Sequence, residues 1–143
     1  TSYRRLRETS TPTAPRWTLP SVTSNLAVSH RALQAARSGL DTAQSLKQAA
    51  GGVHAAAWCN PDGQVELLRE DVGRHNALDK LLGALQRLDH SAGGFVMVTS
   101  RASYEMVAKV AACRVPLLAA ASAPTSLAVE LAERCGVTMV ANV

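Results

Sequence analysis

Six of the eleven residues at positions 70–80 are charged or carry an imidazole, in a chain where only 18% of the residues are charged. His75 and Asp79 are four apart, so they share one face of a helix, where the carboxylate could orient the imidazole. His75 could then donate a proton or contact a ligand, and the planar guanidinium of Arg74 could bind an anion. This density of polar groups predicts a binding or catalytic site.

The same residues also fit a solvated helix start. Asp71 would then cap the helix, and Asp79 and Lys80 would lie on the surface. Because a cap requires one acidic residue and not the whole set, we favour the functional interpretation.

Two segments rich in hydroxyl side chains, residues 99–103 and 121–126, offer a second kind of chemistry. Each follows a predicted strand and begins a predicted helix, and a helix start presents unpaired N–H groups that attract anions. Arg101 adds a planar donor that can bind phosphate or carboxylate through two hydrogen bonds. The alternative is ordinary capping of the two helices by Ser100 or Ser122.

Three other polar positions are less specific. His54 stands in an apolar strand beside small alanines that would let a ligand approach closely, although such a histidine is as often a structural group. Tyr104, in the first turn of a helix, could stack on a ring. Glu105 and Lys109 have the spacing of a helical ion pair, and we expect that pair to be structural.

The three cysteines have no metal-ligand spacing, and their odd number suits a reducing, cytoplasmic setting. Cys59 precedes a turn and is expected to be the more exposed. Cys113 and Cys135 lie near helix ends within apolar patterns, where packing roles are favoured.

The composition sets wide bounds on function. A length of 143 residues indicates one domain, and a net charge of +4 weakly favours anionic partners. No signal peptide or long apolar run is found, so we expect neither export nor a membrane span. No aromatic and basic stripe is found either, so nucleic acid is not an expected partner.

The hydrophobic periodicity predicts an irregular arm over residues 1–25 and one α/β domain over residues 26–143. The predicted helices cover 29–49 (broken at Gly39), 74–88, 102–113 and 124–135, and the predicted strands cover 53–59, 64–68, 95–98, 115–120 and 137–140. Two strands joined by a turn, then repeated strand–helix units, imply a mixed sheet that is parallel in its second half. Ligands bind such sheets at the carboxyl ends of the parallel strands, where both hydroxyl segments fall.

Four segments together resemble the FdhD family of formate dehydrogenase accessory proteins, namely residues 51–57, 70–80, 100–107 and 122–125. They are long, ordered and specific, and the resemblance covers roughly residues 25–143. It implies a three-layer α/β/α, cytidine-deaminase-like fold with a mixed sheet. With this resemblance, the candidate cofactor-binding residues are His54, Asp71, Arg74, His75, Asp79, Ser100, Arg101, Ser103, Tyr104, Ser122 and Thr125.

The resemblance implies a function in sulfur delivery. A cysteine desulfurase would supply persulfide sulfur, which the accessory protein passes to a molybdenum or tungsten cofactor before that cofactor enters the formate dehydrogenase apoprotein. The implied cofactor is a bis-molybdopterin guanine dinucleotide, bound transiently, and its phosphates suit helix starts that bind anions. A homodimer is implied in the same way.

The chain departs from the family at the sulfur-carrying site. Family members usually carry a Cys-x-x-Cys pair upstream of residues 51–57, whereas here Arg4, Arg5, Leu6 and Arg7 occupy about that place. The catalytic residues are therefore unassigned, and we expect the family's usual amino-terminal domain to be missing. The alternative function is a non-catalytic module that binds the cofactor or the apoenzyme without transferring sulfur.

The implied fold also suggests a zinc nucleoside deaminase. That chemistry requires a His-x-Glu and a Pro-Cys-x-x-Cys. Ala56 stands two residues after His54, and no Pro-Cys-x-x-Cys occurs, so we exclude this class and expect no zinc.

Overall fold

In the computed structural model, which describes residues 19–88 and 93–143, five strands form one mixed sheet. Every predicted strand and helix is present, with shifted ends. Among these residues, no helix is both long and apolar enough to cross a membrane. The elements in chain order are α1 (His30–Ala43), α2 (Ser45–Ala50), β1 (His54–Cys59), β2 (Val65–Asp71), α3 (Arg74–Arg87), β3 (Phe95–Val98), α4 (Tyr104–Ala112), β4 (Leu117–Ala120), α5 (Ser126–Cys135) and β5 (Thr138–Val140).

The strands are ordered β2-β1-β3-β4-β5 across the sheet. β1 is antiparallel to both of its neighbours, whereas β3, β4 and β5 are parallel, so the predicted hairpin and parallel half are confirmed. His54 lies opposite Asp71, and Ala56 lies opposite Val98. The start of β1, the end of β2 and the carboxyl ends of the parallel strands therefore meet at one edge of the sheet.

Helices cover both faces of the sheet. On one face, α1 packs through Leu33, Ala36 and Leu40 against side chains of β1, β3 and β4. On the other face, a larger apolar cluster joins the buried sides of α3, α4 and α5 to the sheet. The predicted fold class, a three-layer α/β/α domain with a mixed sheet, is confirmed.

The helix break predicted at Gly39 is wrong, because the first helical segment breaks at Gln44. The backbone of Gln44 leaves helical geometry. Its side chain is fully buried, and its amide donates to Val53 O at 3.4 Å. Gly39 stays inside α1, where a Cβ atom would lie 3.3 Å from Val65 Cγ2. Its small size lets the helix approach β2 closely, a role that the sequence pattern does not distinguish from a break.

Two boundaries differ from the sequence prediction in a way that matters for the site. β2 continues to Asp71, so the first two residues of the charged run belong to a strand and not to a loop. Residues 1–18 of the predicted arm lie outside the described residues. Residues 19–29 form neither helix nor strand, yet Val22 is buried and its N–H donates to Cys135 O at 2.7 Å.

The turn between β1 and β2 supplies a test of this packing. Gly63 has a φ of 87°, and a Cβ atom there would overlap the carbonyl oxygen of Ala32 in α1. Gly63→Ala is therefore expected to lower the free energy of unfolding by about 1–3 kcal/mol, measured by urea denaturation.

Gly83→Ala is the matched control, because a Cβ atom at that position in α3 meets nothing within 4 Å. It is expected to raise the free energy of unfolding by about 0.5–1 kcal/mol. Equal effects of the two substitutions would contradict the described turn.

Candidate functional site

The polar residues singled out in the sequence come together at the carboxyl edge of the parallel strands. We call this the polar edge, and define it as His54, the β2–α3 junction 71–75, and the segments 99–105 and 121–125 that follow β3 and β4. Since β1 runs antiparallel to both neighbours, its first residue lies beside segments that are distant in sequence.

Hydrogen bonds tie these segments to one another. Thr99 Oγ1 accepts from Ala55 N–H at 3.0 Å, which joins the segment after β3 to the start of β1. Thr125 N–H donates to Ala102 O at 3.1 Å, which joins the segment after β4 to the one after β3. The polar edge is therefore one connected structure.

Asp71 makes its contacts inside the protein. Its Oδ2 lies 2.6 Å from Lys80 Nζ, and its Oδ1 accepts from Gly73 N–H at 2.9 Å and from Asn76 Nδ2 at 3.4 Å. The hydrogen bond from Lys80, followed by that from Gly73, lowers the pKa of Asp71 to about 2. Gly73 is the N-cap residue of α3, so the alternative interpretation that placed Asp71 there is wrong.

Glu70 lies next to Asp71, but strand alternation places it on the opposite face of the sheet. Its carboxylate accepts from the N–H groups of Leu46 at 3.0 Å and Lys47 at 3.4 Å, and from the Ser45 hydroxyl at 3.4 Å. These residues begin α2, whose own N-cap residue makes no side-chain capping hydrogen bond. Glu70 therefore caps a helix from another element, which sequence analysis missed because the contact is long-range.

Asp79 pairs with Lys109 instead of orienting His75. The distance from Asp79 Oδ1 to Lys109 Nζ is 2.8 Å, and the pair joins α3 to α4. The predicted ion pair between Glu105 and Lys109 is wrong for the same reason. Spacing within each helix predicted the two local contacts, but the packing of α3 against α4 brings opposite charges from the two helices together.

Glu105 lies close to the start of α3. Its pKa is lowered, chiefly by a hydrogen bond from its own backbone N–H, then by the Ser103 side chain, and to a smaller extent by electrostatic interaction with His75 and Arg74. The first turns of α3 and α4 therefore lie close together. The sequence predicts a structural role for Glu105, and its proximity to His75 and Arg74 follows only from the packing of the two helices.

The hydroxyl residues of the polar edge have different roles. Ser100 is buried, and its Oγ donates to the carbonyl of the next residue at 3.1 Å. Thr125 caps α5, accepting a backbone N–H at 3.2 Å, and Ser103 is the N-cap residue of α4 but makes no capping hydrogen bond. The caps predicted at Ser100 and Ser122 are therefore wrong, and Ser122 is exposed.

Two arginines and two helix starts are open to an external acceptor. Arg74 and Arg101 are exposed, and neither forms an ion pair within the described part of the chain. The N-cap residues of α3 and α4, Gly73 and Ser103, give no side-chain hydrogen bond to the first turn. A helix start without a capping side chain leaves N–H donors unpaired, although in α4 the Glu105 carboxylate accepts from its own N–H. The polar edge can therefore bind an anion such as a phosphate.

His54 and Tyr104 are half buried. His54 begins β1 beside Asp71, and strand alternation places it on the face that α3 covers. Tyr104 begins α4 and packs against the larger apolar cluster. Each leaves part of its side chain accessible at the polar edge.

The three cysteines lie away from the polar edge. Cys59 is fully buried, so the expectation that it is exposed is wrong; burial, with a further effect of the Glu66 charge, raises the pKa of its thiol to about 12. Cys113 is half buried, and burial raises its pKa, while Cys135 is buried. Over residues 19–88 and 93–143, no three His, Cys, Asp or Glu side chains are grouped as metal ligands.

A cavity of about 530 Å³ opens at the opposite edge of the sheet. Its walls include Trp58, Leu85, Cys113 and Val115, and none of the candidate cofactor-binding residues lines it. This cavity is separate from the polar edge.

Comparisons with known proteins agree on one family. A family model described as the FdhD/NarQ family matches residues 6–143. Over 122 residues, the chain is 55% identical to the sulfur carrier protein FdhD of Variovorax paradoxus and 54% identical to that of Xanthomonas euvesicatoria. These matches cover 85% of this chain but only 44% and 43% of the relatives, so the chain spans less than half of their length.

A solved structure gives the same result. The crystal structure of a formate dehydrogenase accessory protein from Desulfotalea psychrophila matches with a TM-score of 0.78 and 29% sequence identity. The match covers 87% of this chain and 55% of that one.

The contacts of Asp71 predict a pH-dependent contribution to stability. A carboxylate whose pKa is lower in the folded state stabilises the protein above its unfolded pKa of about 3.9, and this contribution is lost as the pH falls toward about 2. The difference in free energy of unfolding between the wild-type chain and Asp71→Asn should therefore shrink as the pH falls from about 5 to about 2. Urea unfolding at several pH values measures it, and a constant difference would contradict the Lys80–Asp71 contact.

Proposed function

Because this chain belongs to the FdhD/NarQ family, we propose that it acts in the maturation of formate dehydrogenase. In this proposal the polar edge binds a molybdenum or tungsten bis-molybdopterin guanine dinucleotide. The cofactor is cargo that the chain holds transiently, and not a resident group. Two observations carry the proposal. The N-cap residues of α3 and α4 make no side-chain capping hydrogen bond, and the guanidinium groups of Arg74 and Arg101 are exposed without an ion pair among the described residues.

The phosphates of the dinucleotide fit this donor set. Backbone N–H groups at the two helix starts would donate to phosphate oxygens, and Arg74 and Arg101 would each offer two parallel N–H donors. His75 follows Arg74 in the first turn of α3 and would donate a further hydrogen bond. Tyr104 and His54 would contact the ring systems or the sugar with their accessible parts.

Four of the candidate residues have internal partners, and we propose a supporting role for them. Asp71 and Asp79 form ion pairs with Lys80 and Lys109, the Ser100 hydroxyl is buried, and Thr125 caps α5. These contacts hold the three segments of the polar edge in place. The Ser103 hydroxyl is buried as well. The groups presented to the cofactor are then His54, Arg74, His75, Arg101, Tyr104 and Ser122.

For the complete family function, we propose that sulfur from a cysteine desulfurase reaches the cofactor while the polar edge holds it. The loaded cofactor would then pass to the formate dehydrogenase apoprotein. A second copy of the chain is a further proposed partner, on the family resemblance alone. The sulfur-carrier name of the relatives supports this role.

A second candidate function is a binding module that holds the cofactor or the apoenzyme without transferring sulfur. Two observations favour it for these 143 residues. The sequence contains no Cys-x-x-Cys pair. The raised pKa values of the Cys59 and Cys113 thiols also make both groups poor thiolates near neutral pH.

Calorimetric titration with GDP, which carries the guanine and phosphate groups of the cofactor, tests binding at the polar edge. Saturable binding is expected, and Arg101→Ala and His75→Ala should each weaken it by about ten- to a hundredfold, since each removes a hydrogen bond to a charged group.

Arg87→Ala is the matched control, because Arg87 is the last residue of the helix that begins at Arg74 and has the same charge. Its GDP affinity should equal that of the wild-type chain. If Arg87→Ala and Arg101→Ala weakened GDP binding equally, the loss of affinity would follow from net charge alone. That result would contradict a site at the polar edge.

Incubation with a cysteine desulfurase and cysteine separates the two candidate functions. The binding-module candidate predicts no persulfide on the native chain by mass spectrometry. A stable persulfide that Cys113→Ser abolishes would instead support sulfur transfer by this chain and contradict the second candidate.

A further inference from the structure

Lys80 connects α3 back to the strand that precedes it. Its Nζ lies 2.6 Å from Asp71 Oδ2 and donates to the carbonyl oxygen of Glu70 at 3.1 Å. Both acceptors belong to the last two residues of β2. Lys80 itself stands in the second turn of α3, so its side chain spans the whole junction.

Asp71 completes a ring of contacts around that junction. While one carboxylate oxygen takes Lys80, the other accepts from Gly73 N–H at 2.9 Å and from Asn76 Nδ2 at 3.4 Å. We call these four residues, Asp71, Gly73, Asn76 and Lys80, the junction ring. Arg74 and His75, the first two residues of α3, lie in the sequence between Gly73 and Asn76.

On the helix side, buried apolar packing begins only after this junction, at Ala77 and Leu78. Val72, the central residue of the junction, is 77% exposed. The Lys80 side chain is 51% exposed and that of Asp71 is 17% exposed, so water reduces the contribution of this ion pair to the free energy of unfolding. The value of the junction ring is therefore geometric, because it defines where α3 begins and which way its first residues face.

We propose that Lys80 is a positioning residue, which through Asp71 holds the first turn of α3 so that Arg74 and His75 can bind the anion at the polar edge. This inference rests on the proposed function. It removes Asp71 from the groups that touch the cofactor and gives its carboxylate an internal role. It also gives Lys80 a function, although Lys80 does not touch the cofactor.

The alternative is that Lys80 leaves Asp71 and contacts a phosphate directly. The two cases differ in the effect of Asp71→Asn. If Lys80 acts by position, Asp71→Asn weakens GDP binding because it weakens the junction ring. If Lys80 is itself a ligand group, Asp71→Asn releases it and leaves GDP affinity unchanged or higher.

GDP titration of Lys80 variants is the first arm of the test. Lys80→Met keeps the aliphatic stem and should weaken binding about tenfold, as expected within one hydrogen-bond network, whereas Lys80→Arg should restore most of the affinity. Lys47→Met is the control, because Lys47 is exposed and forms no ion pair within the described residues. It should bind GDP like the wild-type chain.

A double-mutant cycle shows through which group Lys80 acts. In the Arg74→Ala background, Lys80→Met should weaken GDP binding by only about threefold, because His75 is then the one positioned group that remains. In the Arg101→Ala background, its effect should remain about tenfold, because Arg101 belongs to another segment. Full additivity with Arg74→Ala would overturn the proposal.

Amide hydrogen exchange tests the inference without any ligand. Lys80→Met should speed exchange at Gly73, whose N–H donates to Asp71, while leaving Leu81 and Leu82 in the buried part of α3 unchanged. Absence of GDP binding in the wild-type chain would count against the proposed function. Amide hydrogen exchange would then still show whether Lys80 holds the start of α3. Unchanged exchange at Gly73 would overturn it.

Discussion

The pairing of β1 between β2 and β3, antiparallel to both, is the constraint on which the rest of the structure depends. It places His54 opposite Asp71, and it places the start of β1 beside the end of β3. A slip of one residue in this register would exchange the two faces of the strand, whose alanines are buried on both sides. The same register thus defines the core and gathers the polar edge.

The polar residues at that edge divide into two groups by what they contact. Asp71, Asp79 and Thr125 have protein partners that fix the helix starts, whereas Arg74 and Arg101 face solvent. Charge alone does not separate these groups, since both contain residues of the motif at 70–80. The two groups differ in whether the side chain contacts a partner within the protein, as Asp71, Asp79 and Thr125 do.

Local patterns in the sequence were enough for the fold class, the hairpin and the position of the polar edge. Those patterns extend over a few residues, so they predict elements and the loops between them. They could not predict that Asp79 meets Lys109 or that Glu70 caps α2, because each contact depends on how two elements pack. Gln44 shows the same limit, since its burial, and not its helix propensity, decides where α1 ends.

Backbone amide chemical shifts recorded during a GDP titration test the central claim most directly, because they locate a bound nucleotide without a substitution. If the polar edge is the binding site, the largest changes fall at residues 73–76 and 103–105, at the starts of α3 and α4. Trp58 and Val115, at the cavity on the opposite edge, should not change. Changes centred on that cavity, or none at either edge, would contradict the account.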